Sequence, residues 1–523
     1  MRKIIIIILT GLFSITSEAQ NSRKVTDNTT VTTLNGAVRG TTTPGGIIVY
    51  KGIPFARPPV GDLRWKAPQP VENWKLLVAD HFGPRPFQRN KYEDMIFRSS
   101  KESEDCLYLN IWKPTNKTGG HLPVLVYFYG GGFSSGDGSE ARYDGESMAK
   151  KGVISITVNY RLSVFGFLAH PGLTKESAHH SSGNYGLMDQ HEALKWIRKN
   201  IAAFGGDPER ITIAGESAGS MSVSAQMASP LSKGLFHGAI AQSGSLLGID
   251  ATTPLAEAEK NGLKFAGQCG ASNLAELRKI PAGKLLQISK DFWFPPTIDG
   301  YFFPRPLPEI FSTGKQMDIP LLAGWTTAER GYESLIGNGN APTAENFKKG
   351  VLKAFGDQAE DILKIYAVNT DEDVPQVALD LESDRFIAYG TWKFIDLHSK
   401  TNGFPVYRYI FARKRPKFLG TGYHNANPLG AVHASDIEYA LGNLSLNDRY
   451  AWTEADFKTS ETMQAYLVNF IRSGDPNGPG LAKWYGLQSS IPKVMTLDSV
   501  SGSSPEKNGR RYAGFDKIVN PDK

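Results

Sequence analysis

The chain has 523 residues, 40% hydrophobic and 21% charged, which is ordinary globular composition with material for a large core. The net charge of +6 is mild over this length, and no dense basic block interleaved with aromatics is present, so composition argues against a nucleic-acid partner. No internal repeat, low-complexity tract or Gly/Ser linker divides the sequence, and one large domain over residues 20–523 is expected.

The N-terminus reads MRKIIIIILTGLFSITSEAQ. A basic start at Arg2 and Lys3, an apolar stretch from Ile4 to Phe13, and small residues Ser17 and Ala19 predict a signal peptide over 1–19, cut after Ala19. The apolar stretch is too short to span a bilayer and no later segment is longer, so the mature protein is expected to have no membrane span and to be secreted or periplasmic.

Beyond the leader, TVTTLNGAVRGTT and GGIIVYKGIPFA alternate and turn like antiparallel strands. Four apolar runs then read as buried strands: LYLNIW, PVLVYFY, VISITVNY and RITIAG. Before the last of them, Leu187, Leu194, Ile197 and Ile201 recur at helical spacing, and Gly205, Gly206 and Pro208 end that helix. AGSMSVSAQMAS starts another. Strands alternating with helices predict an α/β fold with a mostly parallel central sheet flanked by helices, preceded by antiparallel strands.

IAGESAGS, Ile213 to Ser220, falls where a strand passes into a helix. Gly-x-Ser-x-Gly in that setting is a nucleophile elbow, with the serine oxygen exposed on a strained turn. Ser217 is therefore the candidate nucleophile. A serine hydroxyl needs a base, and the base needs an acid, in the chain order Ser, Asp or Glu, His. Downstream histidines are His237, His398, His424 and His433. His433 in PLGAVHASDIEYA has small neighbours, with His424 next. Glu329 directly follows the apolar run IPLLAGW, where a strand would end. Asp299, Asp384 and Asp396 also lie in the allowed interval. Gly130, Gly131 and Gly132 follow an apolar strand and can turn backbone N–H groups toward a developing oxyanion. No His/Cys cluster has zinc-ligand spacing, so no metal site is expected, and the glycine run lacks the Gly-Lys-Ser/Thr ending of a phosphate loop. The basic run FARKRPKF, Phe411 to Phe418, reads as a solvated loop.

YKGIPFARPPVGDLRWKAPQP, SEDCLYLNIWKP, YGGGF, VNYRLSVFGFL, GNYGLMDQHEALKWIRKNIAAFGGDPERITIAGESAGS, QSGS, GAVHASDIEY and SGDPN stand in order along the chain. Together they resemble the type-B carboxylesterases, α/β hydrolases that include the cholinesterases. The resemblance implies Ser217, Glu329 and His433 as the catalytic triad. It implies the N–H groups of Gly131, Gly132 and Ala218 as the oxyanion hole, with Glu216 and Ser243 supporting. Phe292, Trp293 and Phe294 would line the acyl pocket. The substrate would be a small-molecule ester, and the chemistry that the resemblance implies needs no cofactor. GWTTAER departs from the relatives' acid segment, with Ala328 before the glutamate and Arg330 after it. The cysteines that relatives pair with Cys106 and Cys269 are replaced by Pro86 and Glu276, so two free thiols are expected. The stretch from Gln88 to Cys106 has no tryptophan, which leaves choline-ester specialisation unsupported. The expected activity is ester hydrolysis by an exported enzyme. The alternatives are an inactive cholinesterase-like binding or adhesion protein, and an acyltransferase with the same triad.

Overall fold

Strands buried on both faces favour apolar or small side chains, and the central runs are mostly of that kind. Ile154–Val158, Gly238–Gln242 and Leu321–Thr326 are buried throughout. The computed structural model describes residues 29–520 apart from 90, 91, 93, 116–120, 250, 421–427 and 489–491. The predicted leader, 1–19, and His424 lie outside the described residues.

An 11-stranded sheet carries the molecule. Its strands in chain order are β1 (Thr41–Thr42), β2 (Ile47–Pro54), β3 (Tyr108–Pro114), β4 (Leu122–Phe128), β5 (Ile154–Val158), β6 (Gly206–Glu216), β7 (Gly238–Gln242), β8 (Leu321–Thr326), β9 (Val406–Phe411), β10 (Lys493–Leu497) and β11 (Gly502–Pro505). In space they run β11-β10-β9-β8-β7-β6-β4-β5-β3-β2-β1. All neighbours from β10 to β5 are parallel, and the strands beyond them at both edges pair antiparallel. The first predicted hairpin, Thr30–Thr33 with Gly36–Arg39, stands apart, joined by Leu76–Val78 in a 3-stranded sheet.

The predicted helices form at α1 (Tyr185–Asn200) and α2 (Ala218–Ala228). After α1 a tighter turn, Ile201–Phe204, ends at Gly205 with φ of 86°. Gly206 and Pro208 already belong to β6, whose register shifts between Gly206 and Ile211 to absorb the proline. The loop after β5 is clamped to α1 by a buried bidentate pair, Arg161 Nε and Nη2 donating to Asp189 at 2.8 and 2.7 Å. This is what VNYRL and GLMDQ do for each other. A second apolar cluster, including Phe347, Val351, Val374 and Phe515, packs helices outside the main core. No helix among the described residues is long and apolar enough to cross a membrane.

Cys106 and Cys269 are both free and buried. Pro86, which stands where the resemblance implies a partner cysteine, lines one small cavity with Cys106. Glu276, at the other position where the resemblance implies a partner cysteine, accepts from Ser272 Oγ at 2.7 Å and Asn273 Nδ2 at 2.9 Å. Burial pushes the Cys106 thiol up, which keeps it protonated and inert.

Candidate active site

The C-terminal ends of adjacent strands deliver every group of the site. In spatial order β9, β8, β7, β6 and β4 precede His433, Glu329, Ser243, Ser217 and Gly131. Such an edge is where open α/β sheets bind ligands.

Strand β6 runs buried into Glu216, and the chain turns at Ser217 with φ of 55° and ψ of −121° before α2 begins. A positive φ at serine is strained, and the turn survives because its neighbours are small. A Cβ on Gly215 would come within 2.4 Å of the Gly219 carbonyl carbon, and one on Gly219 within 2.0 Å of the Phe128 oxygen. The two glycines therefore let β6, α2 and the end of β4 close on one another. The Ser217 N–H donates to the Gln242 carbonyl at 3.0 Å, which pins the turn to β7. Beyond β4, Gly130 lies against the same turn, where a Cβ would meet Glu216 Oε2 at 2.7 Å and Ser217 Cβ at 3.1 Å.

Glu329 is 4% exposed and its carboxylate is fully engaged. Oε1 accepts from Thr326 N–H at 2.7 Å and from Ser243 Oγ at 2.6 Å. Oε2 accepts from His433 Nδ1 at 2.5 Å. The histidine loop is docked by backbone contacts: Ala328 N–H donates to the Ala431 carbonyl, and Ala431 N–H to Thr327 Oγ1, both at 2.8 Å. Ala328 thus contributes through its main chain, and Glu329 is hydrogen-bonded to His433 despite the departure from the relatives' motif.

His433 Nε2 lies 3.2 Å from Glu216 Oε1, so the ring stands between two carboxylates. Burial opposes the imidazolium, but Glu216 and Glu329 outweigh it and raise His433 to about 9. Burial likewise pushes Glu216 up to about 8, against the pull of His433. Ser217 and His433 line one cavity, and no hydrogen bond joins them among the described residues. Such bonds often tighten only when substrate is bound.

That cavity measures about 840 Å³. Its lining includes Gly131, Gly132, Glu216, Ser217, Ala218 and His433, the apolar Met221, Ile249, Trp293, Phe386 and Ile387, and the polar Tyr92, Asp94, Arg142, Arg415 and Tyr450. Of the expected acyl-pocket residues, only Trp293 lines it. Contrary to expectation, Phe292 and Phe294 do not line it; they pack on Phe265, with ring centroids 5.3 and 5.5 Å away. Phe292 is extended, so alternate side chains face opposite ways and the middle one reaches the cavity.

The competing candidates are occupied elsewhere. Asp384 accepts from Tyr366 Oη, Asp299 from the N–H groups of Tyr301 and Phe303, and Asp396 pairs with Lys400 on one helix. His398 is buried against the Ile319 carbonyl and His237 faces Glu209. The basic run is not a solvated loop: Arg413 donates to Asp456, and Arg415, which lines the cavity, donates to Glu438 and Tyr450. Sequence reasoning misses Phe386 and Ile387. They sit on a wide π-helical turn, Asp384–Ala388, which swings them into the cavity and carries no recognisable sequence signal.

The sheet order, the elbow after β6 and the groups gathered at the strand ends define an α/β hydrolase. The chain belongs to the carboxylesterase family, whose signature matches residues 27–511, and it is a carboxylic ester hydrolase. It is 36% identical to the fumonisin B1 esterase of Sphingopyxis macrogoltabida, covering 90% of this chain and 86% of that protein. It is 33% identical to the para-nitrobenzyl esterase of Bacillus subtilis, covering 90% and 94%. A solved Geobacillus stearothermophilus carboxylesterase superposes with a TM-score of 0.80 at 31% identity, over 93% of this chain and 99% of that one.

Proposed function

We propose that this hydrolase is an exported serine carboxylesterase that works through an acyl-enzyme. Ser217 attacks the ester carbonyl while His433 takes its proton. The N–H groups of Gly131, Gly132 and Ala218 stabilise the tetrahedral oxyanion. Glu329 fixes the imidazole through Nδ1 and balances the imidazolium. His433 then returns the proton to the leaving alcohol, and water activated by the same ring releases the acid. The observation that carries this reading is the 2.5 Å Glu329–His433 hydrogen bond beside a strained serine in one cavity. Export rests on the leader sequence, and N-terminal sequencing of protein recovered outside the cytoplasm should begin at Gln20.

Glu329→Gln should lower turnover by about 10⁴-fold, less than loss of Ser217, because the carboxylate orients the ring and makes no bond to substrate. Stopped assays on an aryl acetate measure this. Activity near wild type in that variant would assign the acid elsewhere.

Only the neutral imidazole can accept the serine proton, so kcat/KM should rise with pH through the His433 titration. Glu216 and Glu329 place that titration near 9, above the ordinary histidine value, so the acid limb should be displaced upward. Because Glu216 and His433 sit 3.2 Å apart, the limb belongs to the pair. Glu216→Gln removes one supporting carboxylate and should move the midpoint to lower pH. A pH–rate profile whose midpoint stays or rises in this variant contradicts the assignment of Glu216 as a positioning residue.

A further inference from the structure

Two arginines flank His433, and neither takes part in the proposed chemistry. Arg415 lines the cavity and donates to the Ala434 carbonyl at 3.1 Å and to Glu438 at 2.7 Å. Glu438 is 1% exposed and is not among the residues that line the cavity, whereas Asp94, which also acts on Arg415, is. Arg330 directly follows Glu329 and is exposed. Its guanidinium carbon lies 4.6 Å from the centre of the Phe386 ring. Phe386 in turn stands edge-on to His433, with ring centroids 5.1 Å apart.

The Arg330 charge also reaches the Tyr92 hydroxyl. Burial, then Asp94 and Glu216, push that hydroxyl up, and Arg330 pulls it down. A Cβ on Gly132 would sit 3.4 Å from the same hydroxyl, which puts Tyr92 beside the expected oxyanion hole. Arg330 therefore stands against Phe386, a residue of the cavity wall, and its charge acts on a second, Tyr92. The fixed anions that face the cavity each have a cation of their own. Asp94 accepts from Arg142 at 2.8 Å, and Glu216 faces His433 at 3.2 Å. Among the described residues, no carboxylate forms an ion pair with Arg330.

We propose that this side of the cavity selects esters whose alcohol part carries a carboxylate. The inference rests on the serine-esterase reading, because that reading decides where the alcohol sits. His433 must deliver a proton to the leaving oxygen, so the alcohol lies beside His433 and against Phe386, toward Arg330 and Arg415. A guanidinium presents a planar fork matched to a carboxylate, and an exposed cation without an acidic partner beside the cavity wall also raises the encounter rate with anions. An uncharged alcohol of the same shape gains neither effect.

The probes are 4-acetoxybenzoate and 4-acetoxybenzamide, acetate esters of equal shape that differ in charge on the alcohol part. Their kcat/KM values are compared in the full-length protein and in Arg330→Gln, at low salt and at about 0.5 M salt. The wild-type protein should favour the carboxylate ester about two- to fivefold at low salt, the scale of one exposed ion pair. The ratio should fall toward one in Arg330→Gln and at high salt. Parity or preference for the amide in wild type, or a preference that Arg330→Gln leaves intact, overturns the inference. Phenyl acetate separates the two levels. If it and both probes escape Ser217-dependent hydrolysis, the esterase reading fails; if it and the amide are cleaved and the carboxylate ester is not, only the selection fails.

Discussion

Ser217→Ala is expected to lower ester hydrolysis by about 10⁶-fold while the protein stays folded. The magnitude is set by the groups that remain. The oxyanion donors and the cavity still bind and polarise an ester, which leaves a residual advantage over water of about 10³–10⁴-fold, but no group can form the acyl-enzyme. The fold should persist because the elbow is held by the backbone. The residue 217 N–H still reaches the Gln242 carbonyl, and Gly215 and Gly219 still permit the close approach. Alanine carries the same positive φ as serine at no great extra cost, so the melting temperature should move by only a few degrees, the usual scale for a change of about 1 kcal/mol or less. A variant that loses activity because it unfolds would show this in its near-ultraviolet circular dichroism.

His433→Ala should be almost as severe, because the serine and the histidine act as one unit. For the same reason the double variant should be no worse than either single one. This substitution also carries a structural cost that the serine change lacks. Glu329 keeps its bonds from Thr326 and Ser243, but both it and Glu216 lose the cation between them. A buried carboxylate without a partner is costly unless it takes up a proton. The variant should therefore be less stable above neutral pH than below it, since protonation relieves the uncompensated charge. Denaturant midpoints at two pH values measure this alongside the rate. Activity within tenfold of wild type would remove His433 from the role of base.

The parts of the site that are legible in the sequence are those fixed by local chemistry. The elbow is legible because close strand–helix packing demands Gly215 and Gly219, and the demand is written in consecutive residues. The glycine loop after β4 and the glutamate after β8 are legible because strand ends in such sheets gather functional groups, so the end of an apolar run marks the residues worth testing. His433 is preferred over His398 and His237 only through its small neighbours and the family resemblance. The structure gives the physical reason, a loop docked on residues 327 and 328 by main-chain bonds. The cavity wall is not legible. Phe386 comes from a π-helical turn, Tyr92 from an irregular segment, and Arg142 and Arg415 from positions far apart in the chain, so no spacing links them. The stretch Phe292–Phe294 shows the same limit in miniature, since composition cannot say which of three aromatics an extended backbone will turn inward. The basic run looks solvated in sequence because the acids that match its charges, Asp456 and Glu438, come from later helices.

Covalent labelling tests the central claim most directly. A fluorophosphonate reacts with a serine only where a base activates it and an oxyanion hole receives the phosphoryl oxygen, so the label reports the assembled machinery. The protein is incubated with the reagent until ester hydrolysis stops, digested, and the adduct located by mass spectrometry. The account predicts one adduct per chain, on Ser217, formed in step with the loss of activity, and absent from His433→Ala on the same timescale. Full inactivation with the adduct on another residue, or persistent activity in a chain fully labelled at Ser217, would contradict it.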